Sequence, residues 1–324
     1  MEAIEQPELV TIFGGSGFLG RHVVQLLAQR GYRIRVAARR PQLTMHLNPL
    51  GQVGQIVAVQ ANLRDRASIE RAVEGSDHVV NCVGILFEGG SNTFAAIQEE
   101  GAKTVAEAAR KHGSTLTHVS AIGADPESES VYAQTKGRAE RSIMEEGPET
   151  VIVRPSILFG PEDNFFNKFA NMARFSPFIP LIGGGKTRLQ PVFAPDVAEV
   201  IARHVDGKIA PGIWELGGPE VLTFRECMEE MLSVIQRRRA MVNVPWGMAT
   251  SLGSFFSKLP VEPPLTDDQV KLLKNDNVVS EEARREGRTF EALSIKPVSL
   301  AAVLPEYLVR FRVAGQFSRW TRST

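Results

Sequence analysis

The sequence predicts an α/β fold, a doubly wound parallel sheet with a smaller, irregular C-terminal lobe. Three features predict it. Apolar runs rich in β-branched residues alternate with longer helical patterns through the first half of the 324 residues. A glycine-spaced turn joins the first run to the first helix. After about residue 160 the alternation loosens, and Pro, Gly and aromatic residues accumulate.

The runs are LVTIF, RIRVAAR, IVAVQ, HVVNCVG, LTHVSAI and TVIVRPSI. Helix-length connections between such strands imply right-handed βαβ crossovers and a sheet covered on both faces. ASIERAVEG and EEGAKTVAEAARKHG carry apolar residues at helical spacing and stop on glycine, as helices commonly do. FSPFIPLIGGGK and VNVPWGMATSLGSFFSKLPVEPPLTDDQ read as irregular excursions forming the smaller lobe. Neither repeats nor low-complexity tracts occur.

Composition narrows the function classes. Lys and Arg total 37 and Asp and Glu total 37, so bulk charge signals no nucleic-acid partner. Cys82 and Cys227 fall in an expected core strand and an expected helix, which argues against a disulfide framework or metal cluster and for a reducing compartment. The six histidines show no metal-ligand spacing, and no metal site is expected; His22 and His118 are expected beside the core. The opening MEAIEQPE lacks a secretion or transit signal, and no apolar run approaches the roughly 20 residues of a spanning helix. A soluble chain is expected.

The spacing Gly14-x-x-Gly17-x-x-Gly20 follows a strand and opens a helix. Glycines there permit a tight turn, close approach of a pyrophosphate to the backbone and close packing of helix on strand, with phosphates at the helix N-terminus. This is the fingerprint of a Rossmann-type dinucleotide site. Gly14, Gly15, Ser16, Gly17, Phe18, Leu19 and Arg21 are its expected contacts. The second strand ends on Arg39 and Arg40, where an NAD site usually places an acid. Each arginine could give a 2′-phosphate charge-assisted hydrogen bonds worth about 1.5–3 kcal/mol, favouring NADPH, with Arg21 a third candidate; the other reading is a solvated basic turn. At the end of the third strand Asn62, chosen over Asp65, meets the adenine edge beside Leu63, and Cys82, Val83 and Gly84 bring backbone near the adenine ribose. Residues 1–160 are thus expected to form the NADP(H)-binding core. Residues 161–324 are expected to add late core elements, the smaller lobe and a C-terminal partner-binding tail.

Together these pieces resemble the short-chain dehydrogenase/reductase superfamily, in its extended and atypical branches. Ser120-Ala-Ile-Gly123 looks like its serine element and Tyr132-x-x-x-Lys136 like its Tyr-Lys pair. The resemblance implies that Tyr132 passes a proton to or from a substrate oxygen, while Lys136 lowers the tyrosine pKa and holds the nicotinamide ribose. Pro155 and Ile157, in RPSI, would meet the nicotinamide carboxamide. Gln98 stands where extended members often carry an asparagine that shapes a helix kink and water relay.

The segments VIVRPSILFGPEDNFFNKFA, LQPVFAPDVAEVI, IWELGGPEVLTFREC and LTDDQVKLLKNDNVVSEEARREGRTFEAL resemble the family of NADPH-binding accessory subunits of respiratory complex I, NADH:ubiquinone oxidoreductase. The resemblance implies tightly held NADPH, no established role in the main electron path, and a stabilising or assembly role on the peripheral arm near its junction with the membrane arm. Its expected place is the cytoplasmic face of a bacterial inner membrane, or the matrix side in a mitochondrion. An active NADPH-dependent reductase or isomerase, or an NADP(H)-sensing regulator, are the alternatives.

Two basic or apolar segments carry partner expectations. The stretch from Trp246 to Leu259, with Met248, Leu252, Phe255, Phe256 and one charge at Lys258, either faces a partner or the bilayer interface or packs as a lid helix. The tail, with Arg310, Arg312, Arg319, Trp320 and Arg322, either wraps on an acidic partner or lipid head groups or remains solvated. Asp196 reads as a carboxylate at a helix N-terminus rather than a catalytic acid.

Overall fold

The computed structural model describes residues 7–147, 149–256 and 266–313. It forms two compact units. The first takes Met1–Arg154 and Pro195–Trp214, the second Pro155–Ala194 and Glu215–Thr324.

In the first unit the six apolar runs become β1 (Leu9–Phe13), β2 (Arg33–Ala38), β3 (Ile56–Gln60), β4 (His78–Asn81), β5 (Thr115–Val119) and β6 (Val151–Pro155). A seventh strand, Gly212–Leu216, lies beside β6, giving the order Gly212–Leu216, β6, β5, β4, β1, β2, β3. The pairings β3–β2, β2–β1, β1–β4, β4–β5 and β5–β6 are all parallel. Strands buried on both faces need no polar alternation, and Val10, Ile12 and Val36 are fully enclosed. Strand order reverses at the carboxyl ends of β1 and β4, the point where open α/β sheets take ligands.

The helices of this unit are α1 (Phe18–Gln29), α2 (Arg66–Val73), α3 (Glu100–His112), α4 (Val131–Glu146) and, after the chain returns, α6 (Ala194–Val205). Asp65 caps α2 by accepting from the amides of Ala67 and Ser68, and Gly113, in the left-handed region at φ 70°, ends α3. Small and branched residues of α2, α3 and α4, including Ile69, Ala102, Val105, Ala139 and Ile143, close over Phe13, Val79, Leu116 and Ile152 of the sheet. Asp196 lies in the first turn of α6, as expected. Cys82 falls just beyond β4 and is half-buried rather than inside a core strand, because the chain leaves the sheet after Asn81.

The second unit is built around α5 (Phe166–Phe175), α7 (Phe224–Val234) and the helix Leu300–Leu308, with a parallel strand pair, Phe178–Ile182 and Ala240–Val244. Phe159, Phe166, Met228, Met231, Leu304 and Leu308 form its buried centre. Asp163 is enclosed there. Its carboxylate accepts from the Tyr307 hydroxyl at 2.5 Å and from the amides of Phe165 and Asn167 at 2.9 and 3.1 Å, which fixes the start of α5. A capping box of Thr223 and Glu226 starts α7. The helix α8 (Trp246–Phe256) turns Trp246 against Gly183, where a Cβ would stand 2.1 Å from the indole, and leaves Met248 exposed. The side chains of Leu252, Phe255 and Phe256, and all of Lys258, Leu259, Arg319, Trp320 and Arg322, lie outside the described residues.

Candidate functional site

The glycine turn is shaped by contact rather than by flexibility. Gly14 adopts φ 76°, and a side chain there would press on the Cys82 carbonyl at 3.2 Å; one on Gly20 would stand 2.1 Å from the Gly14 carbonyl oxygen. The Gly17 amide closes the turn by donating to the Gly14 carbonyl at 2.9 Å. Gly17 then caps α1 in an extended conformation without a side-chain acceptor, so no cap side chain takes up the first amides at the positive end of the helix dipole. Ser16, Phe18 and Leu19 belong to the same turn, with Gly15 packed against Val24 and Val36 behind it. Arg21 folds back, its Nε 3.4 Å from the Gly17 carbonyl.

Arg39 and Arg40 follow β2, are exposed, and pair with no carboxylate among the described residues. Asp65 is committed to capping α2, whereas Asn62 uses its Oδ1 on the Arg64 amide at 3.1 Å and keeps its Nδ2 without a protein acceptor. Leu63 packs under Gly101. Val83 is tied back by its amide to Asn81 Oδ1 at 3.1 Å. Gly84 marks a junction: a Cβ built on it would lie 3.8 Å from both Gln98 Oε1 and Lys136 Nζ.

Ser120 directly follows β5, its amide held by the Val153 carbonyl at 2.7 Å, and its Oγ is buried with no partner. Tyr132 and Lys136 stand one turn apart on α4, the tyrosine ring edge-on to Phe94 at 5.8 Å. Lys136 is buried and donates to the Val119 carbonyl at 2.9 Å, which places its ammonium beside the end of β5. Burial pulls its pKa down to about 8, against the opposing charge of Glu140. Burial pushes the Cys82 thiol up to about 12, with the charge of Lys136 acting the other way.

Gln98 occupies a π-helical turn, Ala95–Glu99, that leads into α3. It is buried, and neither its amide oxygen nor its nitrogen has a hydrogen-bond partner. An enclosed, unsatisfied amide costs about 1–3 kcal/mol, and π turns concentrate at functional sites. The orphaned Ser120 Oγ and Gln98 amide, the uncapped α1 and the glycine cradle are complementary to a nicotinamide dinucleotide, so the residues present fit that group. Pro155 and Ile157 belong to the second unit.

Two features are not evident from motif reading. Glu140, one turn beyond Lys136 and buried, holds Arg154 through contacts of 2.5, 2.9 and 3.2 Å. The signal was present as Tyr132-x-x-x-Lys136-x-x-x-Glu140, three polar residues on one helical face. His118, buried as expected, lies with Nδ1 3.3 Å from Asn81 Nδ2 and leaves Nε2 without a partner; burial and the charge of Lys136 hold its pKa well below the ordinary range. His22 sits edge-on to Phe18.

A model of the NAD(P)H-binding family matches residues 14–173. The chain is 32% identical over 320 residues to the NADH dehydrogenase [ubiquinone] 1 alpha subcomplex subunit 9, mitochondrial, of Arabidopsis thaliana, covering 95% of this chain and 79% of that protein. It is 33% identical over 304 residues to the NADH-ubiquinone oxidoreductase 40 kDa subunit of Neurospora crassa, covering 93% and 79%. Its fold is shared with the Thermus thermophilus UDP-glucose 4-epimerase complex with NAD, at a TM-score of 0.64, 20% identity and coverage of 94% and 99%.

Proposed function

This chain belongs to the family of the complex I alpha subcomplex subunit 9 and 40 kDa subunits, and from that premise we propose that it is an accessory subunit of respiratory complex I that holds NADPH as a structural ligand. In this reading it supports assembly and stability of the peripheral arm near the quinone and membrane junction. The observation that carries it is the reach of the likeness. Identity of about a third runs over 93–95% of the chain, through both compact units, whereas a nucleotide fold alone would account for the first.

The nucleotide is nicotinamide-based, and Arg39 and Arg40 support NADPH over NADH, since among the described residues neither has a carboxylate to neutralise it. A ligand bound by the folded state alone stabilises it by about 2.7 kcal/mol at a hundredfold excess over its dissociation constant, so such a nucleotide serves folding without turning over. Bound there, it would supply hydride to any chemistry. The chain's own residues would contribute backbone amides at the α1 start, Ser120 and Tyr132 as hydroxyls, and Lys136 as a cation anchored on Val119. No helix among the described residues is long and apolar enough to cross a membrane. Its partners in this reading are complex I subunits of the peripheral and membrane arms, with lipid contact through Trp246–Leu259 and the basic tail, on the cytoplasmic face of a bacterial inner membrane or the matrix side of a mitochondrial one.

Native electrophoresis of solubilised membranes, with identification of the nucleotide released on denaturation, tests this. Co-migration with complex I and release of NADPH are expected; migration only as a free species would overturn the role. Tyr132→Phe separates holding from chemistry, because unchanged growth and complex assembly are expected if the nucleotide is structural.

A further inference from the structure

Three segments of the second unit, 174–178, 235–244 and 309–313, contain six arginines and no acidic residue: Arg174, Arg237, Arg238, Arg239, Arg310 and Arg312. Hydrogen bonds knit the segments into one surface. Arg239 Nε donates to the Ala173 carbonyl, Arg237 Nε to the Phe311 carbonyl and Arg312 Nε to the Val234 carbonyl, each at 2.8 Å. The Ala240 amide donates to the Pro177 carbonyl at 3.1 Å. Arg310 reaches Asn167 Oδ1 at 2.6 Å. None of the six pairs with a carboxylate among the described residues, although Glu230 on α7 and Glu306 on the last helix flank them. Their acceptors are neutral, so the positive charge stays uncompensated.

Apolar side chains project among these cations. Phe175 is 79% exposed, Phe178 49%, Val242 47% and Val313 78%, and the Arg174 guanidinium lies over the Phe175 ring at 5.3 Å. Like charges held together beside exposed rings gain little in water. A guanidinium is weakly hydrated and forks onto phosphate oxygens, while aromatic rings settle at head-group depth. Residues 314–324 bring two more arginines and neither Asp nor Glu.

We infer that this face docks on a bilayer surface rich in anionic phospholipid, the arginines on lipid phosphates and Phe175 and Phe178 in the head-group layer. Charge alone would suit an acidic protein as well; the exposed rings interleaved with the arginines favour the head-group layer. The inference deepens the lipid contact proposed above for the basic tail, to which Arg310 and Arg312 belong, and does not depend on membership of complex I.

Co-sedimentation of the full-length chain with vesicles tests it, comparing phosphatidylcholine alone with phosphatidylcholine mixed with phosphatidylglycerol. Binding is expected only to the mixed vesicles and should weaken as salt rises. Each arginine near the surface contributes a factor of about five, so the double variant R174S/R238S should bind at least about tenfold more weakly. F175S/F178S should weaken binding by a similar factor that salt does not change. All four residues are exposed or half-exposed, and unchanged thermal melting checks that the variants fold. The inference is overturned by equal binding to both vesicle types, by no binding to either, or by variants that bind like the parent. It is also overturned if only substitution of Arg319 and Arg322 abolishes binding, or if the face captures an acidic protein while ignoring lipid.

Discussion

The two units treat their arginines differently. In the first unit Arg30, Arg66, Arg110 and Arg154 each reach a carboxylate, and Arg30 reaches two, Glu199 and Asp206, at 2.5 and 2.6 Å. In the second, Arg188 and Arg288 are paired, but around Phe175 and Phe178 Arg237, Arg239, Arg310 and Arg312 rest on carbonyl and amide oxygens, Arg174 lies over a ring and Arg238 is exposed. Within the first unit Arg35 and Arg64 also rest on carbonyl or hydroxyl oxygens, whereas the side chains of Arg39 and Arg40 find no acceptor among the described residues. A paired arginine explains itself by the fold. One whose charge no carboxylate answers is free to meet an anion from outside.

Breaking the most buried pair should cost most. Glu140→Gln removes the buried carboxylate that Arg154 pairs with and should destabilise the chain by about 1–3 kcal/mol in chemical denaturation; a loss within the error of the parent would mean that the pair does not hold the fold. Arg30→Ala takes one cationic partner from each of Glu199 and Asp206, which keep Arg203 and Lys208, and should cost about 1 kcal/mol or less. Its pH signature has a definite sign. Burial would raise the Asp206 pKa, but the hydrogen bond from Lys208 and the charge of Arg30 hold it below the ordinary carboxylate range. That stability is present above the unfolded-state value and is lost as pH falls through the folded one, so the variant's acid unfolding should begin at higher pH.

The unpaired arginines should behave in the opposite way. R39A/R40A should leave stability without nucleotide nearly unchanged yet weaken NADPH, relative to NADH, by about tenfold or more, read from ligand-induced shifts in melting. Equal shifts for both nucleotides in the parent would contradict the assignment. Smallest of all, Arg238→Ser should alter stability by no more than about 0.5 kcal/mol, since its exposed side chain has no carboxylate to abandon.

What could be read from the residues follows the range of the forces involved. The strands β1 to β6 and the Gly14–Gly20 turn depend on local periodicity and on steric demands within a few residues, so the pattern reveals them directly. The strand Gly212–Leu216 does not announce its place beside β6, because that pairing joins segments separated by a long excursion. The same holds at the site. Tyr132 and Lys136 are legible from spacing, but the acceptance of the lysine by Val119 and the isolation of the Gln98 amide depend on tertiary enclosure. Asp65, passed over for Asn62 at the adenine edge, is consumed by the α2 cap, and its position before RASIERAV carries that signal.

The return of the chain to its first unit has a consequence for biosynthesis. After Arg154 the next residues of that unit are Pro195–Trp214. At a translation rate of about 5–20 residues per second, β6 emerges roughly 3–12 s before the strand that will flank it. Throughout that interval its outer amides and carbonyls form an open edge, the kind of surface on which nascent chains join one another. Slow codons or a waiting chaperone would therefore matter most over residues 155–214, where neither unit is yet whole.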